Sequence, residues 1–186
     1  TTKHVQTHFI QYKTAARAAD ALVLNAMPVV VPEHVRTANF GSVEKFDEWR
    51  RIYGVDLSAL RAAAANTSPV QFVLPQDARE WVRACEPLEL ARFDVRSSPL
   101  DSGVTSSATA QVTQNCEPNG VMLSFELKLD SQESLNINPD AVADGNHWHV
   151  PVWMISEPCL LSRGERVEAR FERSTGCEHC LMRRVP

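Results

Sequence analysis

Two short runs carry residue types that can bind metals or hold polar substrates. In Asn146-His147-Trp148-His149 two imidazoles stand two positions apart, so on an extended segment they point the same way and could share a metal ion. Cys177-Glu178-His179-Cys180 has the spacing of a zinc knuckle or a redox pair. A structural zinc needs four ligands, usually from two knuckles, and Cys85, Cys116 and Cys159 supply no second one. His147 and His149 have no apparent third ligand either. The first run therefore reads as surface or pocket histidines. The second reads as reduced thiols of a cytoplasmic protein, and no metal is expected.

The elements that must position these residues change character along the chain. Val5, Phe9, Tyr12, Ala16, Ala19 and Val23 recur at spacings of four and three, which predicts one face of a helix ending near Asn25. Pro28-Val29-Val30-Val31-Pro32 reads as a short strand fenced by prolines. A helix followed by a buried strand is how an α/β domain ends, so residues 1–32 are expected to be the tail of one. Residues 33–186 then form a second domain, with a helical arm at 43–80. In that arm Phe46, Trp49 and Tyr53 share a helical face, Gly54 stands at the C′ position, and Asp56 can cap a second helix through Leu60 and Ala62 to Ala65. Neither helix has enough apolar surface to make a core alone.

From residue 86 onward the periodicity is two. Val104 to Val112, Leu123 to Leu129 and Val167 to Phe171 each alternate apolar with polar, as strands with one wet face do. Leu88 and Leu90 followed by Ala91, Phe93 and Val95 shift phase once, which predicts a bulge. Turns are expected at Asp101-Ser102-Gly103, Pro118-Asn119-Gly120 and Arg163-Gly164. The fold class is mainly β: an antiparallel, barrel-like domain carrying a helical insertion.

Composition excludes several classes. Hydrophobic residues make up 44% and charged residues 23%, and 19 basic against 23 acidic side chains leave a net charge of −4. No global field therefore draws nucleic acid or anionic membrane. The longest apolar run, Ala26 to Pro32, is far too short to span a bilayer. The chain opens on Thr1-Thr2-Lys3-His4 with no apolar stretch behind it, so no signal peptide is expected, and with its first Met at position 27 it is expected to be a piece of a longer product.

Five motifs, in order, resemble the C-terminal half of the protein arginine N-methyltransferases. Val31-Pro32-Glu33 is similar to the family's Phe-Pro-Asp exit from the cofactor domain. Phe46-Asp47-Glu48-Trp49-Arg50-Arg51-Ile52-Tyr53-Gly54-Val55-Asp56-Leu57-Ser58 resembles the start of its dimerisation arm. Gly120 to Leu127 resembles a barrel strand, Asn146-His147-Trp148 the Thr-His-Trp loop lining the substrate-arginine pocket, and Leu161-Ser162-Arg163-Gly164-Glu165 the hairpin after it. The resemblance implies an S-adenosylmethionine cofactor in the family. It also implies an arm that docks on another subunit's cofactor domain, here through Phe46, Trp49, Ile52, Tyr53, Leu57 and Leu60.

Departures from the family pattern concern the chemistry. The seven glycines stand at 41, 54, 103, 120, 145, 164 and 176, so no glycine-rich loop lets backbone approach a cofactor. Counting back from Pro32, the two glutamates that hold the guanidinium would fall at Thr1 and Ile10, and residues 1–24 contain no Glu. Asn146 replaces the pocket loop's Thr. The chain is expected to be catalytically silent by itself: a prozyme-like subunit that supports an active paralogue in a heteromer. The alternatives are the C-terminal piece of an active enzyme, which would form a homodimer, and a free-standing β-barrel adaptor for arginine-rich peptides.

Overall fold

The computed structural model describes residues 20–38, 43–59, 70–95, 104–130, 132–155, 157–174 and 177–186. Strand β1 (Ala21–Val30) is followed by helices α1 (Glu33–Ala38) and α2 (Val43–Tyr53). Then come β2 (Val70–Val73), a 3-10 turn (Pro75–Ala78), β3 (Val82–Arg83), β4 (Leu88–Asp94), β5 (Val104–Gln111) and β6 (Gly120–Lys128). The chain closes with β7 (Ser134–Asn136), β8 (Val150–Met154), β9 (Arg166–Ser174) and β10 (Cys177–Val185). The fold is mainly β, and every strand pair among the described residues is antiparallel.

The larger sheet runs β2-β8-β6-β1-β3, with β4 also on β1 and β7 also on β6. β1 is an inner strand of it. One edge pairs with β6 from Ala21↔Lys128 to Val29↔Gly120, and the other pairs first with β4 and then with β3. Buried on both faces, a strand can read as a continuous apolar run, and Leu22, Val23, Leu24, Ala26, Met27 and Val29 all lie inside.

This arrangement corrects two expectations. Val23 and Asn25 are strand residues, so no helix reaches Asn25; the rest of that expected helix, residues 1–19, lies outside the described residues. Residues 21–30 were expected in the tail of an α/β domain, but they belong to the β domain's own sheet. Pro28, expected to fence the strand, sits inside it. Its carbonyl accepts from the Ala84 amide at 2.9 Å, at the place where β1 changes neighbour from β4 to β3. A proline with no N–H is tolerated at such a break in the ladder.

The second sheet runs β10-β9-β5. Its inner face carries Val167, Ala169, Phe171 and Cys180, all buried, while Glu168, Arg170, Arg183 and Arg184 form ion pairs outside. Trp153 of β8 meets Phe171 edge to face, with ring centroids 6.5 Å apart, so the two sheets share one core. Two seams hold their margins. The Ser106 hydroxyl on β5 donates to the Leu90 carbonyl of β4, and Cys116 and Leu161 exchange both backbone hydrogen bonds at 2.8 and 3.1 Å. The bulge expected in β4 is present: Leu24 faces Ala91 and Asn25 faces Glu89, which leaves Leu90 as the extra residue.

The helical arm is shorter than expected. Residues 70–73 pair with β8 and Pro75–Ala78 form the 3-10 turn, so the stretch up to residue 80 is not arm. Leu60 and Ala62 to Ala65 lie outside the described residues, as does the turn expected at Asp101-Ser102-Gly103. Pro118-Asn119-Gly120 is no hairpin turn: Gly120 opens β6, and Asn119 fastens the ends of β1 and β8. Arg163-Gly164 does turn, with Gly164 at φ 93° and the Glu165 amide bonded to the Ser162 carbonyl at 3.1 Å.

Candidate pocket wall and docking arm

The loop from Ile137 to His149 connects β7 to β8. Asn138 starts it: its side-chain oxygen accepts from the Asp140 amide at 3.1 Å, and its carbonyl accepts from Ala141 and Val142 at 2.9 and 3.0 Å. Gly145, at φ 80°, reverses the chain. The Asn146 side chain then folds back, donating to the Trp148 carbonyl at 3.0 Å. Trp148 is half-buried and stands edge-on to Phe125 of β6, with centroids 5.8 Å apart and planes at 83°. His147 and His149 face outward on either side of it. Among the described residues no group of three or more His, Cys, Asp or Glu is arranged to hold a metal ion.

Three side chains hold this loop, two of which, Gln76 and Arg79, the sequence assigned to the arm. Gln76 Nε2 donates to the Asn146 carbonyl at 3.0 Å. Arg79 donates to the Pro139 carbonyl at 3.1 Å, the Val142 carbonyl at 2.5 Å and the Asp144 carboxylate at 2.7 Å. Arg83 pairs with Asp140. Side-chain bonds across 57 to 70 residues leave no periodic trace, so no sequence signal could have found them.

The arm begins with α2. Gly54, at φ 65°, ends the helix, and its amide bonds to the Arg50 carbonyl at 2.9 Å, an αL cap. Asp56 Oδ1 accepts from the Ser58 amide at 2.9 Å, which holds its carboxyl below the usual range. Phe46 is buried and makes an edge-to-face contact with half-buried Trp49, centroids 5.9 Å apart. Leu57 is partly covered. Ile52, Tyr53 and Val55 are 54, 69 and 51% exposed, which puts three large apolar side chains in solvent at one corner.

The sequence model of the arginine methyltransferase oligomerization subdomain matches residues 33–180, most of the chain. The chain belongs to the arginine methyltransferase family. The fold agrees: a chain of the Trypanosoma brucei PRMT1 enzyme–prozyme heterotetrameric complex with AdoHcy superposes with a TM-score of 0.61 at 13% identity. The match covers 86% of this chain and 53% of that one, so the chain spans about half the length of its solved relative. No curated protein matches it in sequence.

The described part of this arginine methyltransferase chain does not fit the family's cofactor. Gly54, Gly145 and Gly164 lie in isolated turns, and Gly120 is packed inside a strand against Val31 and Val152. None opens a helix after a strand, the arrangement that brings backbone to a nucleotide-like cofactor. The carboxylate count also loses its anchor. It treated Val31-Pro32-Glu33 as the exit from the cofactor domain, yet the strand before that tripeptide is built into the β sheet. Thr1 and Ile10, where the count fell, lie outside the described residues.

The Cys177–Cys180 run is strand β10. Cys180 points into the core, where burial pushes its thiol up to about 12. It is a packing residue.

Proposed function

We propose that this chain is a non-catalytic, methyltransferase-like subunit that docks through its arm on an active arginine methyltransferase paralogue in the cytoplasm. The observation that carries this reading is the apolar corner of Ile52, Tyr53 and Val55, with Trp49 and Phe46 behind it. An exposed tyrosine and isoleucine at the end of a short helix that belongs to a family oligomerization subdomain suit an interface anchor. In this reading Asn146, His147 and Trp148 form a wall against arginine-rich protein substrates, while S-adenosylmethionine is held by the partner. An active paralogue suits the arm better than a second copy, because no described residue here would give a pair of identical chains a cofactor cradle.

A second reading makes the chain the barrel and arm of an active enzyme that pairs with its own copy. The position of β1 favours it, since that strand continues the β domain toward the N-terminus instead of ending a cofactor domain. Methylation of an Arg-Gly-rich peptide separates the two. The first reading expects background turnover from this chain alone and a several-fold gain when it is added to an active methyltransferase. The second expects turnover once the sequence upstream of Thr1 is joined to this chain, and activity of that longer chain without any paralogue would establish it.

A further inference from the structure

Between β7 and β8 the loop from Ile137 to His149 belongs to no strand. At its ends Ile137 bonds to the Phe125 carbonyl at 3.0 Å and Trp148 stands edge-on to the Phe125 ring, and between them side chains of the 75–83 segment hold it. Within that segment Arg79 makes the widest contact. One guanidinium reaches two carbonyls and a carboxylate along the loop's rim from Pro139 to Asp144: Nε to Pro139, Nη2 to Val142 and Nη1 to Asp144. We propose that Arg79 is the positioning residue of the His147-Trp148 loop, its planar fork setting where the loop presents Trp148 to an arginine-rich peptide. The proposal rests on the pocket-wall reading of that loop.

Charge alone does not explain the contact. Asp144 is largely in water, where an ion pair contributes little. The two carbonyl bonds are the specific part, and they need donors diverging in one plane. A lysine ammonium is a point charge on a flexible stem and cannot reproduce that fork. All three of these partners lie in the loop, so loss of the fork should free the loop without loosening the barrel. Gln76 gives a second hold nearer Trp148 and Arg83 a third at Asp140, each on one loop residue, whereas Arg79 reaches three.

The test uses the full chain with Arg79→Lys and Arg79→Gln, followed by amide hydrogen exchange. Exchange across residues 138–148 should quicken about tenfold in both variants, the loss expected for charge-assisted bonds, with β6 and β9 unchanged. With an active methyltransferase added, KM for an Arg-Gly-rich peptide should rise about tenfold while kcat stays within about twofold, because the chemistry lies elsewhere. Unchanged loop exchange in Arg79→Gln overturns the proposal. So does wild-type behaviour restored by Arg79→Lys, or a loosened loop with an unchanged KM. If the wild-type chain has no effect on peptide methylation at all, the pocket-wall reading fails, and the exchange data alone decide whether Arg79 is the clamp.

Discussion

Asn119 grips Val31 by both ends of its amide: Oδ1 accepts from the Val31 N–H at 2.6 Å, and Nδ2 donates to the Val31 carbonyl at 3.2 Å. Its own backbone reaches Val29 at 3.1 Å and Ile155 at 2.8 Å, so one residue ties the exit of β1 to the exit of β8. Asn119→Ala removes both side-chain bonds and leaves the amide of buried Val31 without a partner. The expected loss is about 2–3 kcal/mol, read from urea unfolding.

Gly120 is required by space and not by backbone angle. A Cβ there would stand 2.7 Å from Val31 Cγ2 and 3.0 Å from Val152 Cγ1, both on stiff, buried β-branched side chains. Gly120→Ala should therefore destabilise the fold by about 1–3 kcal/mol, and Val31→Ala in the same chain should recover part of that loss. Thermal unfolding of the two single variants and the double gives the coupling directly.

The arm can be tested without damaging the monomer. Trp49 packs on Phe46, so Trp49→Ala would disturb the helix as well as an interface. Ile52 and Tyr53 are exposed. Ile52→Ala with Tyr53→Ala should leave the melting temperature within a degree or two yet weaken association by more than about 2 kcal/mol. Sedimentation of the mixed subunits measures it. Full-strength association by the double variant would remove the arm from the interface.

Alkaline pH should act on the core thiols. Burial raises Cys180 from an ordinary value near 9 to about 12, and Cys85 to about 11. In both cases the folded protein holds the proton more tightly than the unfolded chain does. The stability they contribute is complete below pH 9 and is lost as pH rises through 11 and 12. The urea midpoint should fall over that range, and less steeply in Cys180→Val. Alkylation of either thiol in the native protein at pH 8 should be very slow.

What the sequence made legible depended on whether one face of an element stays wet. β5 and β9 each have a wet face, so their period of two was plain, and the slip at Leu90 announced the bulge in β4. Gly54 and Asp56 were equally readable because caps act over a few residues. β1 is covered on both sides and loses its alternation, so Val23 could be counted as the end of a helical pattern. Asn119 looked like a turn residue because its partner, Val31, is 88 positions away. The His147-Trp148 loop was singled out by its residue types, whereas of the side chains that hold it Gln76 and Arg79 were attributed to the arm and Arg83 was not noticed.

An inner strand of the larger sheet, β1, is also the first strand among the described residues, and its long partner, β6, begins at Gly120. During synthesis β1 must wait for roughly a hundred residues before its longest ladder can close. Nearly all of the loop-closure entropy therefore falls before the contacts that offset it. The arm, made early from local contacts, leaves the ribosome while the sheet that will carry it is still open. Folding should accordingly be a late event, on the millisecond-to-second scale typical of non-local β topologies. A chain stopped anywhere before β6 should expose the apolar β1 as an unpaired edge, prone to aggregation.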